Sequence, residues 1–191
     1  MKILFLGPYR EDFCNKLQVN NDDEVYRTEE KISLEYVKLN KFDVIISYGY
    51  RHIICKDIIN YLHNRIINLH ISYLPWNRGA DPNFWSFIED TIKGVTIHLV
   101  DEGIDTGNII IQKEVTFRGD ITLRESYKIL IDEIEKLFFE YWTTIRSGDF
   151  TTMSQSIKEG SIHYKKDRDK YNGLLINGWD TPVSKLKEMR N

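Results

Sequence analysis

The chain has 191 residues, of which 41% are hydrophobic and 29% charged, with a formal net charge of −3. That length supports one sizeable core and a small appendage rather than two full domains. The slightly acidic total leaves no electrostatic footprint for a polyanion, which disfavours bulk nucleic-acid binding, and the two cysteines, Cys14 and Cys55, are too far apart and too isolated to suggest a disulfide framework or a metal site.

Met1 to Leu6 is apolar for too few residues before Gly7-Pro8 to be a signal-peptide core, and no run approaches membrane-spanning length. The expected compartment is the cytoplasm, with no membrane partner. Lys2 to Leu6 reads as a buried strand ended by Gly7-Pro8. The turn that follows, Gly7-Pro8-Tyr9-Arg10, holds a single glycine, so neither the dinucleotide nor the P-loop fingerprint is present. Glu11 to Val19 is expected as a helix, Glu24 to Arg27 as a short strand, and Glu29 to Leu39 as a second helix with Ile32, Tyr36 and Leu39 on one face. Asp43 to Gly49 is the next buried strand. Asp57 to Leu62 completes a helix, with His63 exposed near its end, where a cation suits the dipole.

Ile66 to His70 is a short buried strand, and the breakers Leu74-Pro75 and Arg78-Gly79 force a loop after it. Pro82 marks the first turn of a helix through Ile88 that places Trp85 in the core. Gly94 to Asp101 is a strand, and Asn108 to Phe117 is antiparallel to it because Gly103 to Gly107 is too short for a crossover. Thr122 with Glu125 forms a capping box that opens a long helix ending near Ser147-Gly148, in which Tyr127, Leu130, Ile131, Ile134, Leu137, Phe138, Tyr141 and Trp142 recur at helical spacing as core or dimer interface. A homodimer therefore stays open. Alternating strands and helices predict an α/β fold, a Rossmann-like doubly wound, mostly parallel sheet with an antiparallel edge, with ligands at the carboxyl ends of the strands. Residues 1–150 form the main domain and 151–191 a short C-terminal extension packing on it.

Strand alternation sends Asn68 and His70 to one face, so an amide and an imidazole share a pocket. Alone, such a pair is more often structural. Its context is the stretch Gly94 to Gly107, in which Thr96 and His98 share a face of the strand and Asp105 sits on a turn between Gly103 and Gly107. A carboxylate against a histidine favours the charged imidazolium and orients the ring.

The Asn68-x-His70 strand, the loop through Arg78-Gly79 and the later Asp105-x-Gly107 turn, in that order, resemble the folate-dependent formyltransferases, a family that includes glycinamide ribonucleotide, methionyl-tRNA and sugar N-formyltransferases. The resemblance covers roughly Lys2 to Phe117. It implies that residues 1–150 are the catalytic domain, that the co-substrate is 10-formyltetrahydrofolate, and that no metal takes part. Asn68, His70 and Asp105 are the implied catalytic residues: Asn68 and protonated His70 stabilise the oxyanion, and Asp105, directly or through water, relays the proton from the attacking amine. Gly49, Tyr50, Arg51, His52 and Ile53, in the loop after the third strand, resemble the place where the family holds the pterin, with Val100, Gly103 and Ile104 completing the folate site. On composition alone that loop is as well explained as a plain strand-to-helix turn.

On the acceptor side the candidates are Tyr9, Arg10, Trp76, Arg78, Gly79, His98 and Lys165. Arg78-Gly79 matches the family's Arg-Gly pair, Trp76 offers a face for stacking, and Gly160 to Asp167 resembles the strand that follows the catalytic core in sugar and methionyl-tRNA formyltransferases, where Lys165 and Lys166 could meet phosphates. The commoner explanation of that lysine pair is a solvated basic turn. The missing glycine-rich phosphate loop argues against the glycinamide ribonucleotide branch, and the extra basic domain of the methionyl-tRNA branch has no room here. The expected activity is formyl transfer to the amine of a nucleotide-linked aminodideoxysugar such as a dTDP-sugar, for polysaccharide biosynthesis. Two rivals are a formyltetrahydrofolate hydrolase and a non-catalytic folate-binding protein.

Overall fold

Apolar runs such as Ile3-Leu4-Phe5-Leu6 and Val44-Ile45-Ile46 leave no polar face for water, so the strands they form must be covered on both sides. The computed structural model, which describes residues 1–18, 22–173 and 175–188, has that arrangement. The strands, in chain order, are β1 (Lys2–Leu6), β2 (Glu24–Thr28), β3 (Val44–Ser47), β4 (Ile66–His70), β5 (Arg78–Gly79), β6 (Gly94–Leu99), β7 (Ile109–Glu114) and β8 (Ile162–His163). Six of them form one sheet in the order β2-β1-β3-β4-β6-β7, and β5 pairs separately with β8. β2, β1, β3 and β4 are parallel, whereas β6 and β7 add an antiparallel edge.

One face of the sheet is covered by α1 (Glu11–Leu17) and α5 (Leu123–Ser147), whose Phe13, Leu17, Leu130, Ile134 and Phe138 pack with Phe5, Ile46, Ile67, Leu69 and Ile97. The other is covered by α2 (Leu34–Asn40) and α3 (Lys56–Leu62), whose Val37, Ile58 and Leu62 meet Leu4, Leu6, Ile45 and Ile66. A third cluster joins α4 (Pro82–Ile88) and α6 (Val183–Glu188) to the start of α5. α5 begins as its sequence demands. The Thr122 hydroxyl accepts from the Glu125 amide at 3.1 Å, and the Glu125 carboxylate accepts from the Thr122 amide at 2.8 Å, so two otherwise orphaned donors are satisfied reciprocally.

Several expectations are corrected. α2 starts at Leu34, not Glu29, because the Ser33 hydroxyl accepts from the Tyr36 amide at 3.1 Å and fixes the first turn there. Val37 then faces the core, Ile32 is buried ahead of the helix, and Leu39 is 79% exposed. α1 ends at Leu17; Val19 lies outside the described residues. Tyr127 is exposed, one step round from the buried stripe of Leu123, Ser126, Leu130 and Ile134. The strand expected from Gly160 onward is limited to the two residues of β8, followed by a 3-10 helix over Lys165–Tyr171.

Candidate active site

Ile67 and Leu69 point into the core under α5, so alternation leaves Asn68 and His70 on the opposite face. The antiparallel pairing of β4 with β6 sets Asn68 opposite His98 and His70 opposite Thr96. Asp105, on the loop after β6, reaches the same spot. Its Oδ1 accepts from Asn68 Nδ2 at 3.1 Å and lies 3.5 Å from His98 Nε2, and its Oδ2 accepts from the Gly79 amide at 2.8 Å and lies 3.6 Å from His70 Nδ1. The three groups singled out in the sequence therefore meet at the carboxyl end of β4, and a second imidazole joins them.

The hydrogen bonds fix the tautomer of His98. Its Nδ1 lies 2.8 Å from the Leu99 carbonyl oxygen, which can only accept, so Nδ1 carries a proton. In the neutral ring Nε2 is then an acceptor, and Asn68 Nδ2, 3.1 Å away, donates to it. Both amide hydrogens of Asn68 are thereby committed, one to Asp105 and one to His98. His98 is 1% exposed and acts on Asn68 from behind the site.

His70 is held differently. Its Nε2 lies 3.1 Å from the Asn77 carbonyl oxygen and donates to it, while the 3.6 Å between Nδ1 and Asp105 Oδ2 is too long for a direct hydrogen bond. Burial pushes the imidazole below its ordinary pKa, outweighing the attraction of Asp105, and His98 adds to the lowering. The resting His70 is neutral at neutral pH, which corrects the charged imidazolium expected from the carboxylate alone: the desolvation that comes with a nearly closed pocket is the stronger effect. For Asp105, burial works to raise the carboxyl, but the His70 and His98 imidazoles and the Gly79 amide together overcome it and hold the group ionised well below the usual carboxylate range.

The backbone is bent to make this cluster. Asp105 adopts φ 51°, a left-handed conformation uncommon outside glycine, and Gln155 pins the loop by donating to the Asp105 carbonyl at 3.1 Å and the Gly107 carbonyl at 2.6 Å. Gly79, at φ 86°, lies so close to β8 that a Cβ would sit 2.2 Å from the His163 carbonyl oxygen, so only glycine can present its amide to Asp105. Asn77 and Gln155 were not singled out from sequence. Asn77 left one signal, a turn-favouring residue between Trp76 and Arg78-Gly79. Its side chain anchors the loop to Glu89 at 2.9 Å and accepts from the Thr91 hydroxyl at 2.7 Å. Gln155, fifty residues downstream of Asp105, left none.

The candidate folate residues lie on two neighbouring loops. Gly49 takes φ 71° after β3, and Tyr50 fastens its loop by donating to the Glu30 carbonyl at 2.8 Å and accepting from the Ile32 amide at 3.3 Å. Arg51, His52 and Ile53 are exposed, Ile53 by 76%. Val100 packs in the same apolar cluster as Tyr50, the Gly103 amide donates to Asp101, and Ile104 is half-buried. A Lys56–Glu102 ion pair of 2.8 Å bridges the two loops.

The acceptor candidates are scattered more widely. Arg10 is committed to α5, paired with Glu135 at 3.1 Å and stacked 4.1 Å over the Tyr48 ring, and Tyr9 is 61% exposed under the Arg27 guanidinium. Arg78 is buried, with its Nε donating to the Ser161 carbonyl at 3.3 Å, and Trp76 is half-buried. Lys165 is exposed at the start of the 3-10 helix. No three-ligand metal cluster is present among the described residues, and no helix among them is long and apolar enough to cross a membrane.

The formyl transferase family model matches residues 17–140. The chain is 52% identical to the formyltransferase PseJ of Anoxybacillus kamchatkensis, whose crystal structure is a complex with UDP-4,6-dideoxy-4-formamido-L-AltNAc and tetrahydrofolate; the two superpose with a TM-score of 0.94 over 100% of both chains. It is 30% identical to a dTDP-4-amino-4,6-dideoxyglucose formyltransferase of Mycobacterium bovis over 73% of this chain and 58% of that one, and 36% identical to a methionyl-tRNA formyltransferase of Thermodesulfovibrio yellowstonii over 76% of this chain and 46% of that one. The chain thus spans about half the length of these curated relatives and the whole of the structural one.

Proposed function

Because the chain belongs to the formyl transferase family, we propose that it moves a formyl group from 10-formyltetrahydrofolate to the amine of a nucleotide-linked aminodideoxysugar, a UDP-linked sugar with the amine at its 4-position being the first choice. The observation that carries the chemistry is the Asp105 carboxylate gathering Asn68, His70, His98 and the Gly79 amide into one cluster at the end of β4. The acceptor class is supported by the full-length relative solved with a formylated UDP-sugar and tetrahydrofolate, the product pair of such a reaction.

The acceptor amine, stripped of its extra proton, attacks the formyl carbon, and the carbonyl oxygen takes up negative charge. Collapse breaks the bond to the folate N10, which leaves with its electron pair and a proton, giving a formamide and tetrahydrofolate. Neutral His70 receives the amine's proton on Nδ1. The imidazolium so formed lies between the Asn77 carbonyl and Asp105, two acceptors already in place, and can return the proton to N10. As charge develops on the oxygen, an Asn68 N–H turns from His98 Nε2 towards it. We place the reaction in the cytoplasm, where an exposed thiol such as Cys55 stays reduced.

Incubation with 10-formyltetrahydrofolate and UDP-linked or dTDP-linked 4-amino sugars, followed by mass spectrometry, tests the reading. A formylated nucleotide sugar is expected. Formate released at the same rate without any amine would instead identify a hydrolase, and folate binding with no turnover at high protein concentration would identify a binding protein.

A further inference from the structure

Asn77 lies in the loop between β4 and β5, fully buried and at φ 57°, a left-handed backbone that few residues other than glycine adopt. All of its polar groups are engaged. Its carbonyl oxygen accepts from His70 Nε2 at 3.1 Å, and its amide donates to Ser161 Oγ at 3.0 Å. Its side-chain oxygen accepts from the Thr91 hydroxyl at 2.7 Å, and its side-chain nitrogen donates to Glu89 Oε2 at 2.9 Å. The Ser161 hydroxyl donates to the same Glu89 oxygen at 2.6 Å, which leaves its lone pairs for the Asn77 amide. Both the side-chain nitrogen and the backbone amide of Asn77 are thus held, directly or through Ser161, by one carboxylate.

Glu89 follows the last turn of α4, where its amide donates to the Trp85 carbonyl at 2.8 Å. Its second oxygen lies 2.8 Å from His163 Nε2. The carboxylate therefore joins α4 to the Asn77 loop and to β8, and none of the reaction steps outlined above uses it.

What Asn77 decides is where the proton of the neutral His70 ring sits. An ionised carboxylate is a stronger acceptor than a peptide carbonyl, so Asp105, left to compete freely, would draw that proton to Nδ1. At 3.6 Å it is out of range, whereas the Asn77 carbonyl is within hydrogen-bond reach of Nε2. The ring is held with its N–H on Nε2 and its lone pair on Nδ1. A small retreat of the Asn77 carbonyl would reverse that preference and put a hydrogen on the nitrogen that has to accept one.

We propose that Glu89 is a positioning residue for formyl transfer: acting through Asn77, it keeps neutral His70 in the tautomer that leaves Nδ1 free to take the acceptor amine's proton. The assignment rests on the formyl-transfer reading above. It gives the end of α4 a part in the chemistry without contact with either substrate.

The test uses the full chain, 15N-labelled and free of folate and sugar, at about pH 8, where an imidazole of ordinary pKa is neutral. Long-range 1H–15N NMR of the His70 ring, assigned by His70→Asn, is expected to show Nε2 protonated and Nδ1 bare. In Glu89→Ala, its fold checked by circular dichroism, the proton is expected to redistribute to Nδ1. In the same variant kcat should fall about 10²-fold, the low end for a general base, with KM for the aminosugar changed far less. Glu89→Gln keeps an oxygen for Asn77 and Ser161 and turns an NH2 group to His163, so it should retain the parent's tautomer and most of its rate. If Glu89→Ala does not fold, Ser161→Ala, which removes the hydroxyl between the carboxylate and the Asn77 amide, is read the same way. His70 ring resonances unchanged by the alanine variant, a parent protonated on Nδ1, or a glutamine variant as impaired as the alanine one would overturn the assignment. A parent with the expected tautomer that transfers no formyl group would instead refute the activity, so the two failures are told apart.

Discussion

Replacing Asp105 with asparagine exchanges one carboxylate oxygen for an NH2 group, and the cluster has no place for it. With the amide nitrogen at the Oδ2 position, a donor faces the Gly79 N–H at 2.8 Å; with the amide flipped, a donor faces Asn68 Nδ2 at 3.1 Å. Turning Asn68 to present its oxygen instead sets that oxygen against His98 Nε2, which can answer only by taking a second proton, because its Nδ1–H is committed to Leu99. One buried polar group is left unpaired in every arrangement, a cost of about 1–3 kcal/mol. At roughly 2–4 °C per kcal/mol for a chain of this size, thermal unfolding should fall by several degrees. The loss in turnover should be larger, about 10²–10⁴-fold, since the imidazolium formed on His70 would have no anion beside it. Formyl transfer followed by mass spectrometry, with melting followed by circular dichroism, checks both. A variant that melts like the parent and turns over within about tenfold of it would refute the argument that Asp105 organises the site.

Four further outcomes are expected. Burial lowers the His70 pKa in the folded chain, so the unfolded chain, with its imidazole near 6.5, binds more protons as pH falls below that value; stability is full above about pH 6.5 and declines below it. Urea midpoints measured between about pH 7 and 5 should drop less steeply in His70→Asn, and equal slopes would contradict the assignment. His98→Phe removes the acceptor that holds Asn68 and should cut kcat more than it raises KM, whereas His98→Gln, whose side-chain oxygen can accept the same N–H, should recover part of the loss; steady-state kinetics of the pair decides. Thr122→Ala breaks the capping box of α5 and should cost about 1 kcal/mol in urea unfolding. Phe13→Ala empties a site whose ring lies within 5.6 Å of the ring centres of Phe5, Tyr48, Phe138 and Phe139, and about 3–5 kcal/mol should be lost in the same assay.

Much of the fold was legible because local rules and the final packing agree. β4 and α4 have the residue limits read from their patterns, and Thr122 caps α5 through the bonds its spacing implied. α2 shows where periodicity misleads: several phases were available between Glu29 and Leu39, and one hydroxyl, on Ser33, chose among them. The charge of His70 was misread for a similar reason. The carboxylate was visible in the chain, but the depth of burial that outweighs it is set by what closes over the ring.

By itself the sequence determined which groups would share the candidate site, since strand alternation puts Asn68 and His70 on one face whatever else happens, and the short turn after β6 obliges Asp105 to stay near that sheet edge. Tertiary structure decided how those groups are held. Gln155, Asn77 and the glycine that offers its amide to Asp105 come from segments whose meeting no local pattern encodes. Periodicity along a chain reports which way a side chain points; which distant atom it will find there depends on how the elements pack.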